Sequence, residues 1–386
     1  MQKPLEGLRI IDLTHMLSGP YGAMILADLG ADTVKVEPPK DGEHTRRLLA
    51  SDPNHSIDGM GAYFFTLNRN KRSVTLDLKC QQDLNRFYRL VGVADIVISN
   101  FSPGVTKKLG IDYASLSDIN PKIITCTVTG FGENGPAYQR PAFDQIAQAL
   151  GGGMSITGDS PEQAMRAGIP IGDLGGGMFA VMGVLAAVNA RYTTGRGQHV
   201  DISMLDCQIS MLNYMATMHS MSGEIPQPLG NSHFVHVPYN TFKTKTDLIV
   251  LALVGDKFWP ALVDIIDDPA LRAPRFKEGP ARLAEKQLIE ARITAVLADQ
   301  DADYWLRRLE QANIPCARVN NMAQAMRDPQ VLARNMIVDI AHPIEGGAKA
   351  PGNPIKLSDT NGDSYSPPPL LGAHNQEVFR EWLGDE

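Results

Sequence analysis

The chain has 386 residues, of which 43% are hydrophobic and 20% charged, and its formal net charge is −7. That length exceeds one minimal core and predicts two domains, and the composition is that of a globular chain rather than a disordered or fibrous one. The acidic balance disfavours a nucleic-acid partner. The four cysteines, Cys80, Cys126, Cys207 and Cys316, form no CxxC pair, which argues against a zinc site and for reduced thiols in the cytoplasm.

Leu8–Leu13 is a compact apolar run and predicts a buried strand. Thr14–Pro20 is a turn, and Tyr21–Leu29 carries helical spacing that stops at Gly30. Asp32–Glu37 is the next strand, so the chain opens with a βαβ unit and two parallel strands. The alternation continues through a strand at Ser73–Leu78, a helix at Gln81–Val91, a strand at Asp95–Ser99, a helical stretch at Val105–Leu116 and a strand at Lys122–Val128. Repeated βα units predict an α/β fold: an open, doubly wound, Rossmann-like parallel sheet, with ligands beyond the carboxyl ends of its strands. His15–Ser18, Asn100-Phe101 and Thr129–Gly132 stand at such ends. There is no GxGxxG after the first strand and no GxxxxGK, so the usual nicotinamide and nucleotide-triphosphate sites are unsupported.

Pro170–Phe179 is the most unusual stretch. One carboxylate, Asp173, is followed by Gly175, Gly176 and Gly177 and then by the apolar run Met178–Val188. The run predicts a helix buried all round, too short to span a bilayer, so no membrane partner is expected. Asp173 is expected just before that helix, where free amides and the helix dipole would favour its charged form. Three glycines would let a reacting group pass close to the main chain.

Gln198–Ser203 reads as a strand and Leu205–Met221 as a helix. Met221–Pro228 looks like a domain crossing. Tyr239–Leu253 reads as strands, Phe258–Ile266, Arg282–Leu297 and Asp301–Ala312 as amphipathic helices, and Cys316–Val319 as a final strand. Residues 226–330 therefore form a smaller α+β domain. Residues 1–222 form the large one, completed by 331–386, a Pro- and Gly-rich extended tail with a last helix at Asn375–Leu383.

In this order, several pieces resemble class III CoA-transferases, the family of formyl-CoA transferase and carnitine CoA-transferase. They are Leu8–Pro20, Gly30–Glu37, Asn70–Ser73, Leu76–Lys79, Asn100–Gly104, Gly130–Gly132, Gly172-Asp173 with its glycines, Thr194–Gln198, Pro238-Tyr239 and Gly352–Ile355. The resemblance implies a large CoA-binding domain and a nucleophilic Asp173 that forms acyl anhydride and aspartyl-CoA thioester intermediates. Amides near Gly175 and Gly176 would hold the oxyanions. It places Met16, Leu17 and Ser18 along the CoA, Leu76 and Lys79 near its adenine, and Asn100 and Phe101 beside it. Lys71, Arg72, Lys79, Lys107, Lys108 and Arg140 are candidate cations for the phosphates. Coenzyme A thioester is then a substrate, with no tightly bound cofactor and no metal. The resemblance also implies a homodimer of interlocked chains.

Pro38 stands where formyl-CoA transferase has an arginine, and Leu17 replaces its active-site glutamine. Lys108 takes the place of a frequent arginine, and Arg140 lies about one residue from a family lysine. That enzyme's glycine-rich loop has its nearest counterpart in Leu229–His233. These departures point to an acid pair other than that of formyl-CoA transferase; the resemblance implies a small dicarboxylate or hydroxyacid, with His15, Asn231, His233 or Arg46 as the groups that would face it. Two rivals remain open. An α-methylacyl-CoA racemase shares the fold, but Phe143 stands where its histidine would be, and phenylalanine cannot carry a proton. A non-catalytic CoA-binding protein would lack the carboxylate, and Asp173 is present.

Overall fold

The computed structural model describes residues 3–360 and 363–385. The chain divides into two compact units. The first comprises the residues up to Met154, Arg166–Glu224 and the residues from Pro329 on; the second comprises Ser155–Met165 and Ile225–Asp328. Ser155–Met165 thus packs with the second unit, although it lies inside the stretch expected for the first.

The first unit is built on six parallel strands. They are β1 (Arg9–Asp12), β2 (Asp32–Glu37), β5 (Lys71–Thr75), β6 (Ile96–Ser99), β7 (Ile124–Thr129) and β8 (His199–Ser203); a small hairpin of β3 (Ser56–Ile57) and β4 (Met60–Gly61) lies between β2 and β5 in the chain. Their order is β5-β2-β1-β6-β7-β8. The chain therefore winds one way from β1 through β2 and the other way from β6, so the carboxyl ends of β1 and β6 flank the switch point where such sheets bind ligands. Helices α1 (Ser18–Asp28), α2 (Ala62–Leu67), α3 (Gln81–Val93), α4 (Val105–Leu109), α5 (Tyr113–Ile119), α6 (Asp144–Leu150), α7 (Ile171–Thr194), α8 (Met204–Leu212) and α9 (Tyr214–Ser222) complete the windings.

Alternation along the strands makes two cores. Ile10, Ile96, Ile98, Ile124, Cys126 and Val128 pack against α1 and α7. Ile11, Val34, Val36, Val74 and Val97 pack against Phe87 and Leu90 of α3, Leu116 of α5, and Val378 and Trp382 of the last helix, Asn375–Leu383. The tail before that helix holds an antiparallel hairpin, β12 (Ile337–Ala341) with β13 (Gly347–Pro351), which the Pro and Gly content had hidden. The second unit has its own core. Its sheet of β9 (Tyr239–Lys243), β10 (Leu248–Ala252) and β11 (Cys316–Arg318) is antiparallel, in the order β11-β10-β9, and buries Phe242, Ile249 and Leu251 against Trp259, Ile289, Ile293 and Trp305.

Three helices depart from the pattern read in the sequence. The stretch at 105–116 is two helices, because Gly110 turns left-handed at φ +71°. The methionine-rich helix breaks at Asn213, also with positive φ. The apolar run belongs to a longer helix, α7, of 24 residues, and that helix is not buried all round. Met178 is 39% and Met182 52% exposed. By length and composition α7 could cross a membrane, yet half of its most apolar stretch is buried inside this unit, as in a core helix.

Candidate active site

The turn from β1 to α1 is fixed from below. Asp12 is fully buried and accepts from the Thr14 amide (2.8 Å), the Thr14 hydroxyl and Lys71 Nζ (2.9 Å). Burial alone would raise its pKa, but Lys35 and Lys71 outweigh that and hold it near 2. Lys71 is itself pulled down to about 8 by burial, with Asp12 opposing. Lys35 Nζ donates to the Thr14 carbonyl at 2.7 Å. On this base Met16 adopts a left-handed φ of +64°.

The turn is clamped from the side by the chain leaving β6. Asn100 Oδ1 accepts from the His15 amide at 2.8 Å, and Asn100 Nδ2 donates to the His15 carbonyl at 2.7 Å. Phe101 tilts against the His15 ring, with centroids 5.6 Å apart. Burial and the Lys35 ammonium lower the His15 pKa, against the pull of Glu43.

Asp173 faces this turn from α7. It is the third residue of the helix rather than the residue before it. The amides expected to stabilise its charge go elsewhere: Asp144 Oδ1 accepts from Gly172 (2.8 Å) and Asp173 (3.3 Å). Burial, and then the Asp144 carboxylate, raise Asp173 to about 6, the reverse of the expected direction. Gly175 and Gly176 lie past the first turn, where amides bond within the helix, so as oxyanion donors they offer no free N–H. The space above the glycines is filled by protein. A Cβ on Gly176 would lie 2.5 Å from Ser18 Oγ, one on Gly177 2.6 Å from the Ser18 carbonyl, and one on Gly175 2.8 Å from Met211. Gly176 and Gly177 therefore let α1 lie directly on α7, which brings the turn at His15–Ser18 up to Asp173, while Gly175 makes room for Met211 of α8.

Between them is a cavity of about 240 Å³ lined by His15–Ser18, Tyr63, Asn100–Pro103, Val128–Gly130, Arg140–Phe143, Asp173 and Met204. His15 and Phe101 also line a second cavity, of about 140 Å³, with Leu13, Val36, Pro38, Leu76, Leu78, Lys79 and Leu109. The two cavities share a wall at the switch point. Ser18 Oγ is buried and has no hydrogen-bond partner among the described residues.

The structure thus brings together most of the residues singled out in the sequence: His15, Met16, Leu17, Ser18, Asn100, Phe101, Arg140 and Asp173 at one cavity, and Leu76 and Lys79 at the other. Arg140 is exposed and lies over the Phe131 ring at 5.4 Å. Lys107 and Lys108 are exposed on α4 but line neither cavity. Three expected cations are already committed. Lys71 is buried against Asp12. Arg72 pairs with Asp32, Glu377 and Glu381. Arg46 forks onto Glu37 at 2.6 and 2.7 Å. Asn231 and His233 belong to the second unit. There Asn231 donates to Thr241, and His233 stacks on Phe234 and His236. Sequence reasoning missed Tyr63 and the role of Asp144. No local pattern marks Asp144; for Tyr63 the aromatic run Tyr63-Phe64-Phe65 is the one visible sign.

Fold and site together describe an α/β protein with two adjoining cavities at the switch point of its sheet, one of them lined by the Asp173 carboxylate. The chain belongs to CoA-transferase family III, whose profile matches residues 5–375, and it is an enzyme that transfers CoA. It is 38% identical to the acetyl-CoA:oxalate CoA-transferase of Acetobacter aceti, over 99% of this chain and 97% of that one. It is 37% identical to the succinyl-CoA:mesaconate CoA-transferase of Haloarcula hispanica, over 98% of this chain and 96% of that one. Among solved structures, a CAIB/BAIF family protein from Brucella suis matches with a TM-score of 0.89 and 32% identity, over 99% of this chain and all of that one.

Proposed function

We propose that this enzyme moves CoA between an acyl-CoA and a small dicarboxylic acid through covalent intermediates on Asp173. The observation that carries the reading is the Asp173 carboxylate in a cavity that shares a wall with a second, largely apolar one. A CoA thioester has that shape: a reactive end for the first cavity, and an adenine for the second with Lys79 at its edge. The names of the oxalate and mesaconate relatives support a dicarboxylate as the acid.

The steps balance. Asp173 attacks the thioester carbonyl; the C–S bond breaks, leaving an acyl-aspartyl anhydride and CoA thiolate. The thiolate attacks the Asp173 carbonyl of the anhydride, giving an aspartyl-CoA thioester and the free donor acid. The acceptor carboxylate attacks that thioester and expels the thiolate, forming a second anhydride. The thiolate takes the acceptor acyl group and frees Asp173. Covalent catalysis divides one improbable exchange into steps of similar energy. A donor left for the transient oxyanions is the Ser18 amide, in the first turn of α1; one well-placed donor contributes roughly 3 kcal/mol. Tyr63 and Arg140 in the same wall are the groups for the distal carboxylate of the acid.

An interlocked homodimer is part of the proposal. Met178 and Met182 of α7, Ile209 of α8 and Met218 of α9 are large apolar side chains left exposed, and a second copy is their proposed cover. A monomer in light scattering would refute it. The cytoplasm is the proposed compartment, and the cysteines, all free, suit it.

The test is trapping. The protein is incubated with acetyl-CoA or succinyl-CoA, then with hydroxylamine or borohydride, and mapped by peptide mass spectrometry. A hydroxamate or reduced residue at Asp173, with transfer to oxalate, succinate, itaconate or mesaconate, is expected. Modification with transfer only to bulky aromatic or carnitine-like acids would refute the dicarboxylate. Absence of any adduct, with proton–deuterium exchange beside the thioester, would replace the transferase with a racemase.

A further inference from the structure

A carboxylate in the first turn of a helix is ordinarily stabilised by the free amides and dipole there, and stabilisation of that kind makes it a poorer nucleophile. Asp173 sits in such a turn, but α7 gives its amides away. The Ile171 amide bonds to the Ile169 carbonyl, the Gly172 and Asp173 amides to Asp144 Oδ1, and the Leu174 amide to the Pro170 carbonyl. We propose that Asp144 is a positioning residue for the nucleophile: it takes up the amides that would quieten Asp173, and its own charge keeps the Asp173 carboxylate reactive toward an acyl carbonyl. This rests on the reading of Asp173 as the acyl acceptor.

Asp144 is held for the role. Its Oδ2 accepts from Gln148 Nε2 at 2.8 Å, and Gln148 is itself 2% exposed, with its Oε1 fixed by the Ala167 amide at 2.9 Å. The side chain therefore presents one oxygen to α7 and one to Gln148, with its position set by its own support. The ionisable groups facing Asp173 are Asp144 from α6, Tyr63 from α2, His15 from the β1–α1 turn and Arg140 from the segment before α6. Tyr63 is pushed up by burial and by the two carboxylates together, which places both charges near one cavity wall. A helix cap needs only an acceptor, and asparagine caps as well as aspartate. If capping were the whole of Asp144's contribution, its charge would be dispensable.

Asp144→Asn separates the two roles, because the amide oxygen still accepts from Gly172 and Asp173 while the charge is gone. Two readouts are needed. The first is kcat/KM against pH for wild type, D144N and D144E. The wild type should lose activity as pH falls through about 6. In D144N that limb should move down by about one unit, and the plateau kcat should fall roughly 3- to 10-fold with the donor KM unchanged, since a less basic carboxylate attacks more slowly. D144E should restore both. The second readout needs no catalysis. The melting difference between a protein and its D173N derivative changes with pH as Asp173 ionises in the folded state. Its midpoint should lie lower in the D144N background than in the wild type. A limb or midpoint unmoved by D144N overturns the inference, whether or not CoA is transferred. A moved midpoint with no transfer by the wild type overturns the functional reading instead. A lowered melting temperature with unmoved limb and midpoint is the signature of a cap alone.

Discussion

Asn100 holds His15 by both backbone groups, accepting from its amide at 2.8 Å and donating to its carbonyl at 2.7 Å. The two residues lie on the turns that leave β1 and β6, so this one side chain fastens the two lips of the switch point together. Asn100→Ala should leave the protein folded but lower kcat/KM for an acyl-CoA about 10- to 30-fold, the equivalent of two lost hydrogen bonds. Steady-state kinetics beside a melting curve checks this. A loss of activity matched by a collapse in stability would mean that the clamp serves the fold rather than the site.

Asp173 is costly to the fold. Its pKa is about 6 in the native protein against 3.8 for the free group, so ionising it penalises the folded state. The penalty is absent below about pH 4, grows as pH rises through 4 to 6, and is full above that. Asp173→Asn should therefore abolish transfer while raising stability at pH 8 by roughly 1–3 kcal/mol, the upper end discounted because the site is partly open to solvent. Denaturant unfolding at pH 8 and at pH 4 is the check. The stabilisation should vanish at the lower pH, and an equal gain at both would contradict the assigned cause.

Gly177 meets α1 backbone to backbone, and a Cβ there would stand 2.6 Å from the Ser18 carbonyl. Neither main chain can give way as a flexible side chain can. Gly177→Ala should cost about 1–3 kcal/mol and disturb the cavity by levering α1 off α7. Gly195→Ala, which has open space around it, provides the contrast: its strain is local to the helix end. Both melting temperature and kcat should fall for G177A, whereas G195A should keep its kcat. An active, fully stable G177A would refute the close-packing role of the glycines.

Lys79 is exposed at the rim of the smaller cavity, beside Leu76 and Leu78. If that cavity takes the adenine end of CoA, Lys79→Ala should raise the KM for acyl-CoA roughly 3- to 10-fold with little change in kcat. The effect should shrink as salt rises and for an acyl-dephospho-CoA, which lacks the 3′-phosphate. An equal effect on both substrates would place the cation elsewhere on the ligand.

Much of this was legible because it is local. The strands at 9–37 and 96–129 are short apolar runs set off by turn residues, and the loops after them must lie at carboxyl ends. Asp173 was visible because a carboxylate beside three glycines is rare in a helix. What the sequence could not carry were long-range pairings. Asp144 caps α7 from 29 positions away, and no rule about neighbouring residues finds a cap at that distance. Lys71, Arg72 and Arg46 looked like free cations, and only the fold shows the carboxylates opposite them. The glycines signal a close approach, but a sequence does not say whether a ligand or another helix lies above them; here Gly176 and Gly177 meet Ser18 of α1.

The turn at His15–Ser18 is supported by side chains that do not line the cavity: Asp12, Lys35 and Lys71 from beneath. The side chains of Leu17, Tyr63 and Phe143 line the cavity and make none of those bonds. Asn100 belongs to both sets, since it lines the cavity and clamps His15, but the residues beneath the turn are separate from the lining. A change at Leu17, Tyr63 or Phe143 should therefore alter which acid fits without unseating the loop, so selectivity can drift by single substitutions while the reaction itself stays in place.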